Sequence, residues 1–163
     1  MPQASKASNV LFSTLLGSSA DDHWQLDTIS GGFNPVAQQF TTGSQNLDIA
    51  AVDLGNSRPY DNVQVSFYTD GGSGPGSLVS NGLLSAPSPL NVFYASSLRL
   101  NANTSYFISF SVTSAFNTLD ASWAPNIINP SGFSLGKTFS STDSGATYSG
   151  TGDTATYYIP EFY

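Results

Sequence analysis

The sequence contains no cysteine and very little charge. Without cysteine, disulfide bonds, thiolate metal sites and a cysteine nucleophile are excluded. Charged residues make up 9% of the 163 residues, against about 25% in an average soluble domain. The net charge is −7, and the basic residues are Lys6, Arg58, Arg99 and Lys137. Because so few cations cannot neutralise a row of phosphates or hold an anionic membrane, we predict neither nucleic acid binding nor membrane insertion.

Histidine and glutamate each occur once, as His23 and Glu161. A single histidine excludes zinc sites built from several imidazoles and leaves one base for a Ser-His-Asp arrangement. A pair of carboxylates for glycoside hydrolysis would have to come almost entirely from aspartates. We therefore predict that the protein is not an enzyme and that it needs no cofactor.

Long hydrophobic runs are also missing, since none approaches the roughly 18 residues of a membrane-spanning helix. The first residues, Met1 to Lys6, lack the apolar stretch of a signal peptide, so we expect that a leader was removed or that export follows another route. The polar residues are mainly Ser, Thr, Asn and Gln, which is typical of exported proteins. We predict an extracellular or cell-surface location.

Aromatic residues, glycine and proline are abundant, with 13% aromatics, 15 glycines and 9 prolines. Apolar and polar residues alternate at Val63, Val65 and Phe67, which predicts a half-buried strand. A second alternating block runs from Ser105 to Thr113, with Phe107 as the one aromatic residue on its outer face. Eight further strands are predicted from similar blocks bounded by turn residues: Val10–Leu16, Val36–Thr42, Leu47–Leu54, Ser77–Leu84, Val92–Leu100, Leu119–Trp123, Phe133–Phe139 and Thr154–Tyr163.

About ten strands and no amphipathic helix predict an all-β fold. A single open sheet would leave half of its aromatic residues in water, so the apolar faces should pack against a second sheet. We predict an antiparallel β-sandwich, jelly-roll-like in its architecture. No linker divides the chain, and residues 9–163 are predicted to form one domain.

Residues 1–8 are polar and carry no turn signal, so we predict an N-terminal arm. An extended arm could pair with an open sheet edge of the next subunit, and few Lys or Glu residues guard such edges. A head-to-tail contact of this kind propagates into a filament unless it closes into a ring. The protein itself is therefore the first predicted partner, in a homo-oligomer or filament.

Three segments in the middle of the chain form a recognisable pattern: Val65 to Gly72, Gly74 to Leu78, and Leu98 to Phe107. The pattern resembles the choice-of-anchor domains of exported bacterial proteins, of the PEP-CTERM-associated type, which have a Gly-Gly-x-Pro-Gly turn and a Leu-x-x-x-Thr-x-Tyr-Trp strand. Here Phe107 stands where these domains usually have tryptophan. The resemblance implies a β-sandwich on a secreted or surface-attached protein, in a family most of whose members have no assigned activity. Since no hydrophobic sorting segment follows Tyr163, we expect attachment through polymerisation or a partner.

Residues Ser141 to Tyr148 match the Asp-box, Ser-x-Asp-x-Gly-x-Thr-aromatic. In this motif Asp143 is expected to accept hydrogen bonds from backbone N–H groups of the turn, and Gly145 permits a positive φ. Asp-boxes occur in sialidases and other glycan-related proteins but lie away from the catalytic centre. We predict a structural role for Asp143 and Gly145.

The sequence contains candidate residues for two kinds of ligand site, a calcium site and a sugar-binding site. Calcium would need oxygen ligands from separate loops, with Asp21, Asp22 and Asp70 as candidates, although Asp in turns more often caps the turn. Aromatic side chains could stack on the apolar face of a sugar ring, or they could fill the sandwich. The candidates for stacking are Trp24, Tyr60, Tyr68, Tyr94 and Trp123.

The first functional hypothesis is therefore a non-enzymatic extracellular structural protein: a surface, matrix or filament subunit that assembles by strand addition. The alternative is a carbohydrate-binding or adhesion module, with a glycan as its partner. A virion decoration protein is the third hypothesis.

Overall fold

A computed structural model describes residues 10–13, 22–26, 35–54, 63–85, 92–112, 117–123, 129–150, 156–157 and 161–163. These residues form thirteen β-strands, nine of five residues or more and four of two residues. All the strand pairings are antiparallel. Within the described ranges no helix is long and apolar enough to cross a membrane.

The larger sheet has six strands in the order β11-β10-β3-β8-β5-β6. Its strands are β3 (Val36–Thr41), β5 (Val63–Asp70), β6 (Pro75–Leu83), β8 (Ser105–Val112), β10 (Ser134–Ser140) and β11 (Ser149–Gly150). β8 lies between β3 and β5, so its two neighbours come from distant parts of the sequence.

The second sheet has four strands in the order β1-β13-β4-β7. They are β1 (Phe12–Ser13), β4 (Leu47–Asp53), β7 (Val92–Leu100) and β13 (Glu161–Phe162). Three further strands pair with one another in the order β12-β9-β2: β2 (Asp22–Leu26), β9 (Asn117–Trp123) and β12 (Thr156–Tyr157).

The core lies between the six-stranded and four-stranded sheets and is dominated by aromatic rings. The Phe40 ring contacts the rings of Phe67, Phe133 and Phe162, with centroids 5.5–6.2 Å apart. All three ring pairs are edge-to-face, an arrangement that aromatic quadrupoles favour. The two sheets close around this cluster, and the predicted all-β antiparallel sandwich is confirmed.

The predicted alternation is confirmed where β5 pairs with β8. Val63, Val65 and Phe67 are buried in the core, opposite the β8 side chains Ile108 and Phe110. Gln64, Ser66 and Tyr68 lie on the other face of β5 because successive side chains of a strand alternate. This outer face of the six-stranded sheet carries the candidate site.

Phe107 lies on the outer face, as its place in the alternation predicts, yet none of its surface is exposed to solvent. Its ring contacts the ring of Phe139 edge-to-face, with centroids 5.2 Å apart. Ala37 and Ser109, on the same face, are buried as well. The outer face of the six-stranded sheet is therefore partly covered, and it holds a second, smaller apolar layer.

The predicted strand bounds agree with the structure to within two residues for β3, β4, β6, β7 and β10. The sequence analysis missed β2 and β11. β2 is five residues of mixed polarity and β11 is two residues, so neither gives a strong alternating pattern. β2 is held by pairing with β9, which lies far away in the sequence, and β11 is held by the hairpin that joins it to β10.

Candidate functional site

The Asp-box forms a compact loop between β10 and β11. The Ser141 hydroxyl donates a hydrogen bond to Oδ1 of Asp143 (2.7 Å) and accepts one from the backbone N–H of Gly145 (2.7 Å). The Asp143 carboxylate also accepts hydrogen bonds from the backbone N–H and the hydroxyl of Thr147, at 2.8 and 2.6 Å. Gly145 has a φ of 89°, a conformation that favours glycine. Ser141 and Asp143 together fix the path of the loop.

These hydrogen bonds stabilise the ionised form of Asp143. The side-chain and backbone hydrogen bonds from Thr147, followed by the one from Ser141, lower the pKa of Asp143 from an ordinary 3.8 to about 2. The carboxylate is therefore negatively charged at every pH at which the protein is expected to work.

The depressed pKa of Asp143 predicts a specific acid sensitivity. Because the pKa is lower in the folded state than in the unfolded state, the carboxylate stabilises the fold above about pH 4 and loses that effect as the pH falls towards about 2. Asp143→Asn should therefore be less stable than the native protein at neutral pH, and the difference should shrink towards zero near about pH 2. Urea unfolding of both proteins across this range measures it, and a difference independent of pH would contradict the assignment.

The glycine-rich turn between β5 and β6 is also fixed by an aspartate. Oδ1 of Asp70 accepts a hydrogen bond from the backbone N–H of Gly72, and Oδ2 accepts one from the side-chain amide of Gln39, both at 2.8 Å. The backbone N–H of Gly71 closes the turn on the carbonyl of Gly74 at 2.9 Å. One carboxylate oxygen of Asp70 thus acts within the turn, and the other connects the turn to Gln39 on β3.

Tyr148 connects the Asp-box loop to the glycine-rich turn. A Cβ atom placed on Gly74 would lie 2.8 Å from Cβ of Tyr148 and 3.2 Å from its Cγ. Gly74 has a φ of 151° and is buried, so both the backbone conformation and the close approach require glycine. Gly74 and Tyr148 are 74 residues apart in the sequence, so two distant motifs meet over the outer face of the six-stranded sheet.

The two loops enclose an open pocket of about 470 Å³ on this face. Its floor consists of cross-strand pairs from β5 and β8, Gln64 opposite Ser111 and Ser66 opposite Ser109. Such a volume falls within the roughly 300–1,000 Å³ of sites for small ligands. The floor is polar and uncharged because the alternation of both strands places amide and hydroxyl groups on this face.

Two tyrosines line the pocket above this floor, Tyr68 from β5 and Tyr148 from the Asp-box loop. The rest of the described lining comes from the two loops and from the residue before β3: Pro35, Pro75, Gly76, Ser144 and Gly145. Aromatic rings next to small polar groups make a surface that offers both an apolar face and hydrogen-bonding groups to one ligand.

The described lining of the pocket is uncharged, and the carboxylate of Asp143 lies near one of its residues, Tyr148. Among the lining residues that the structure describes, none carries a charged side chain. Burial raises the pKa of the Tyr148 phenol, an interaction with the Ser109 side chain partly opposes this rise, and the nearby Tyr68 and Asp143 add to it. Tyr148 is therefore an uncharged phenol at neutral pH.

Of the residues that the sequence suggested for stacking, Tyr68 lies in the pocket. Tyr94 is on β7 of the other sheet and is 40% exposed. The backbones of Trp24 and Trp123 pair with Leu119 and Thr156, and their side chains lie outside the described part of the structure, as does Tyr60. The pocket thus gathers one of the five candidates.

The calcium candidates are not brought together in the described part of the chain. Asp22 pairs with Ala121 in the three-stranded sheet, and Asp70 belongs to the glycine-rich turn of the six-stranded sheet. Asp21 lies outside the described residues. Within the described ranges, no group of three or more His, Asp or Glu side chains is placed to hold a metal ion.

The sequence analysis missed the pocket serines and the position of Tyr148 in the site. The serines Ser66, Ser109 and Ser111 were placed on outer faces, but nothing in their spacing shows that two loops fold over them. Tyr148 was visible as the aromatic residue of the Asp-box, and its contact with Gly74 depends on the tertiary fold.

β6, the last strand in the order of the six-stranded sheet, bears on the strand-addition hypothesis. Its Leu78 and Leu83 are 50% and 51% exposed, an apolar surface that an added strand would cover. The pairing of β6 with β5 is irregular and Asn81 has a φ of 58°, so the edge is not flat. The arm at residues 1–8 lies outside the described residues, and strand addition stays a prediction.

Comparison of the chain with protein-family models, with curated proteins and with solved structures finds no match. The resemblance to choice-of-anchor domains therefore also stays a prediction, and the geometry of the pocket carries the functional argument.

Proposed function

We propose that this protein is a non-enzymatic carbohydrate-binding module that holds a glycan in the pocket on the outer face of the six-stranded sheet. The observation that carries the proposal is the lining of the pocket, in which Tyr68 and Tyr148 stand over a floor of uncharged polar side chains. Its sequence chemistry, rich in Ser, Thr, Asn and Gln, supports a place outside the cell or on its surface.

The chemistry of a sugar ring fits this lining. A pyranose has an apolar C–H face that packs on an aromatic ring and a rim of hydroxyl groups that both donate and accept hydrogen bonds. Tyr68 and Tyr148 supply the aromatic surface, while Gln64 and the three serines supply donors and acceptors of the matching kind.

The pocket is held in place before any ligand binds. Its floor is formed by β5 and β8, two paired central strands of the six-stranded sheet. The Tyr148 wall is fixed by the Asp-box hydrogen bonds and by its contact with Gly74. A preorganised site loses little conformational entropy on binding, which raises affinity for a weakly interacting ligand such as a glycan.

Binding rather than catalysis is favoured by the same lining. Acid-base chemistry on a glycosidic bond needs two carboxyl groups, or another general acid and base, at the reacting atoms. Among the described lining residues there is no Asp, Glu or His. Asp143, the carboxylate beside Tyr148, already accepts three hydrogen bonds within its own loop.

Replacement of Tyr68 by alanine is the direct test. Tyr68→Ala should weaken binding to a glycan that the native protein retains by about tenfold, equal to about 1.4 kcal/mol, because the stacking surface is lost. The measurement is affinity electrophoresis against a panel of soluble polysaccharides, followed by calorimetry with oligosaccharides of the retained type. Tyr94→Ala is the matched control, since Tyr94 is an exposed tyrosine on the other sheet.

Two outcomes would overturn the proposal. One is that the native protein binds none of the panel, and the other is that Tyr68→Ala binds as tightly as the native protein and Tyr94→Ala. Circular dichroism of each variant checks that the sandwich is intact, so that a loss of binding reports on the pocket.

A further inference from the structure

The basic residues that the structure describes, Arg99 and Lys137, do not line the pocket. Of the four basic residues, Arg99 is paired with Asp48 on the four-stranded sheet, with Nη1 3.2 Å from Oδ1. Lys137 lies on β10 and does not line the pocket. Lys6 and Arg58 are outside the described residues. The described part of the site therefore offers no cation to a ligand.

Two segments that contribute to the pocket lining also carry a carboxylate, Asp143 and Asp70. Asp143 lies in the loop that carries Tyr148, and its carboxylate is fixed by Thr147 and Ser141. Asp70 ends β5, and the turn that follows it leads directly to Pro75 and Gly76, two residues of the pocket lining at the start of β6. Both loops thus bring a fixed carboxylate close to the site, on a chain whose net charge is −7.

A ligand carboxylate would meet an unfavourable environment here. Guanidinium and ammonium groups form the strongest hydrogen bonds to a carboxylate and so best replace the hydration that the anion loses on binding. A neutral floor of hydroxyl and amide groups cannot replace it fully, and nearby carboxylates repel the anion. The uncharged hydroxyl groups of a neutral sugar lose much less hydration free energy, because the floor offers them equivalent hydrogen bonds.

We propose that the pocket selects uncharged glycans and rejects those that carry carboxylate or sulfate groups, such as uronates and sialosides. This inference rests on the proposed carbohydrate binding and adds its specificity. The Asp-box gives no reason to expect recognition of acidic sugars here. It contributes a carboxylate beside the pocket and a tyrosine within it.

The test uses neutral and acidic polysaccharides side by side: glucans, xylans, galactans and mannans against polygalacturonate, hyaluronan and a sialylated oligosaccharide. We expect retention by at least one neutral polysaccharide and an affinity at least about tenfold weaker for every acidic one. Binding of the neutral glycan should also change by less than about twofold between low and high salt, since no ion pair is screened.

The outcomes separate the two proposals. If an acidic glycan binds best, or if affinity falls steeply with salt, the selectivity is wrong while carbohydrate binding stands. If no glycan of either kind binds, the carbohydrate-binding proposal fails and the selectivity falls with it.

A charge introduced into the floor gives a second measurement. Gln64 is exposed at the surface of the pocket, so Gln64→Lys should fold, and it should bind an acidic glycan at least about fivefold more tightly than the native protein does. Gln64→Glu is the matched control and should gain nothing. Equal acidic-glycan affinity in both variants would contradict the electrostatic account.

Discussion

Replacing Phe107 by alanine should lower the free energy of unfolding by about 3–5 kcal/mol, the cost of truncating a fully buried aromatic side chain. The sequence places Phe107 on the outer face of a strand, where a truncation would ordinarily cost little. In the structure none of its surface is exposed, and its ring packs edge-to-face on Phe139. The truncation would therefore open a cavity as well as remove a ring contact.

The measurement is urea or thermal unfolding, and in a domain of this size the expected loss corresponds to a fall in Tm of about 6–20 °C. Leu78→Ala is the matched control, because Leu78 is also on the six-stranded sheet but half exposed, and its truncation should change stability by about 0.5 kcal/mol or less. If Phe107→Ala is as mild as Leu78→Ala, the outer face is not covered in solution.

Gly74→Ala should destabilise the protein by about 2–5 kcal/mol, from backbone strain at a φ that alanine disfavours and from a steric conflict with Tyr148. The added methyl group would lie 2.8 Å from Cβ of Tyr148, and neither atom is the flexible end of a side chain. The glycine-rich turn and the Asp-box loop would have to separate. Glycan binding should therefore fall together with stability.

Gly72→Ala is the control for the backbone strain alone. Gly72 lies in the same turn with a φ of 86°, and a Cβ atom there would meet nothing within 4 Å. It should cost about 1–3 kcal/mol for the positive φ and leave the pocket intact. In addition, Tyr148→Gly, which removes both the Cβ atom and the ring that the new methyl group would meet, should relieve part of the Gly74→Ala defect, so that the two changes are not additive. Equal effects of Gly72→Ala and Gly74→Ala would argue against the contact between the loops.

The sequence predicts the strands and the inner core well because both depend on local alternation. Val63, Val65 and Phe67 alternate with polar residues, and the period of two is enough to assign them to one face and to bury that face. The same reasoning finds β7 with the bounds that the structure has. These features follow from neighbouring residues and need no knowledge of the rest of the chain.

The covered outer face could not be predicted in this way. The alternation predicts that Ser66 and Ser109 face solvent, but each is 5% exposed and lies at the bottom of the pocket, whose lining includes residues of the Asp-box loop. Gln38 is a related case, because this polar residue lies on the same core-facing side of β3 as Val36 and Phe40. Its side-chain amide donates a hydrogen bond to the carbonyl of Gly136, in a bulge of β10. The burial of Gln38 thus depends on a contact between segments that are 98 residues apart in the sequence.

The aromatic cluster of the core has a consequence for how the chain folds during synthesis. Phe162 is fully buried against Phe40 and Phe67, and its strand β13 lies between β1 and β4, so it unites the beginning and the end of the described chain. The four-stranded sheet cannot be completed until residue 162 has left the ribosome. Until then Phe40 and Phe67 lack a ring that shields them, and the nascent chain presents apolar surface to chaperones. The core of the sandwich therefore closes later than the hairpin of β5 and β6, which needs only two strands that are neighbours in the sequence.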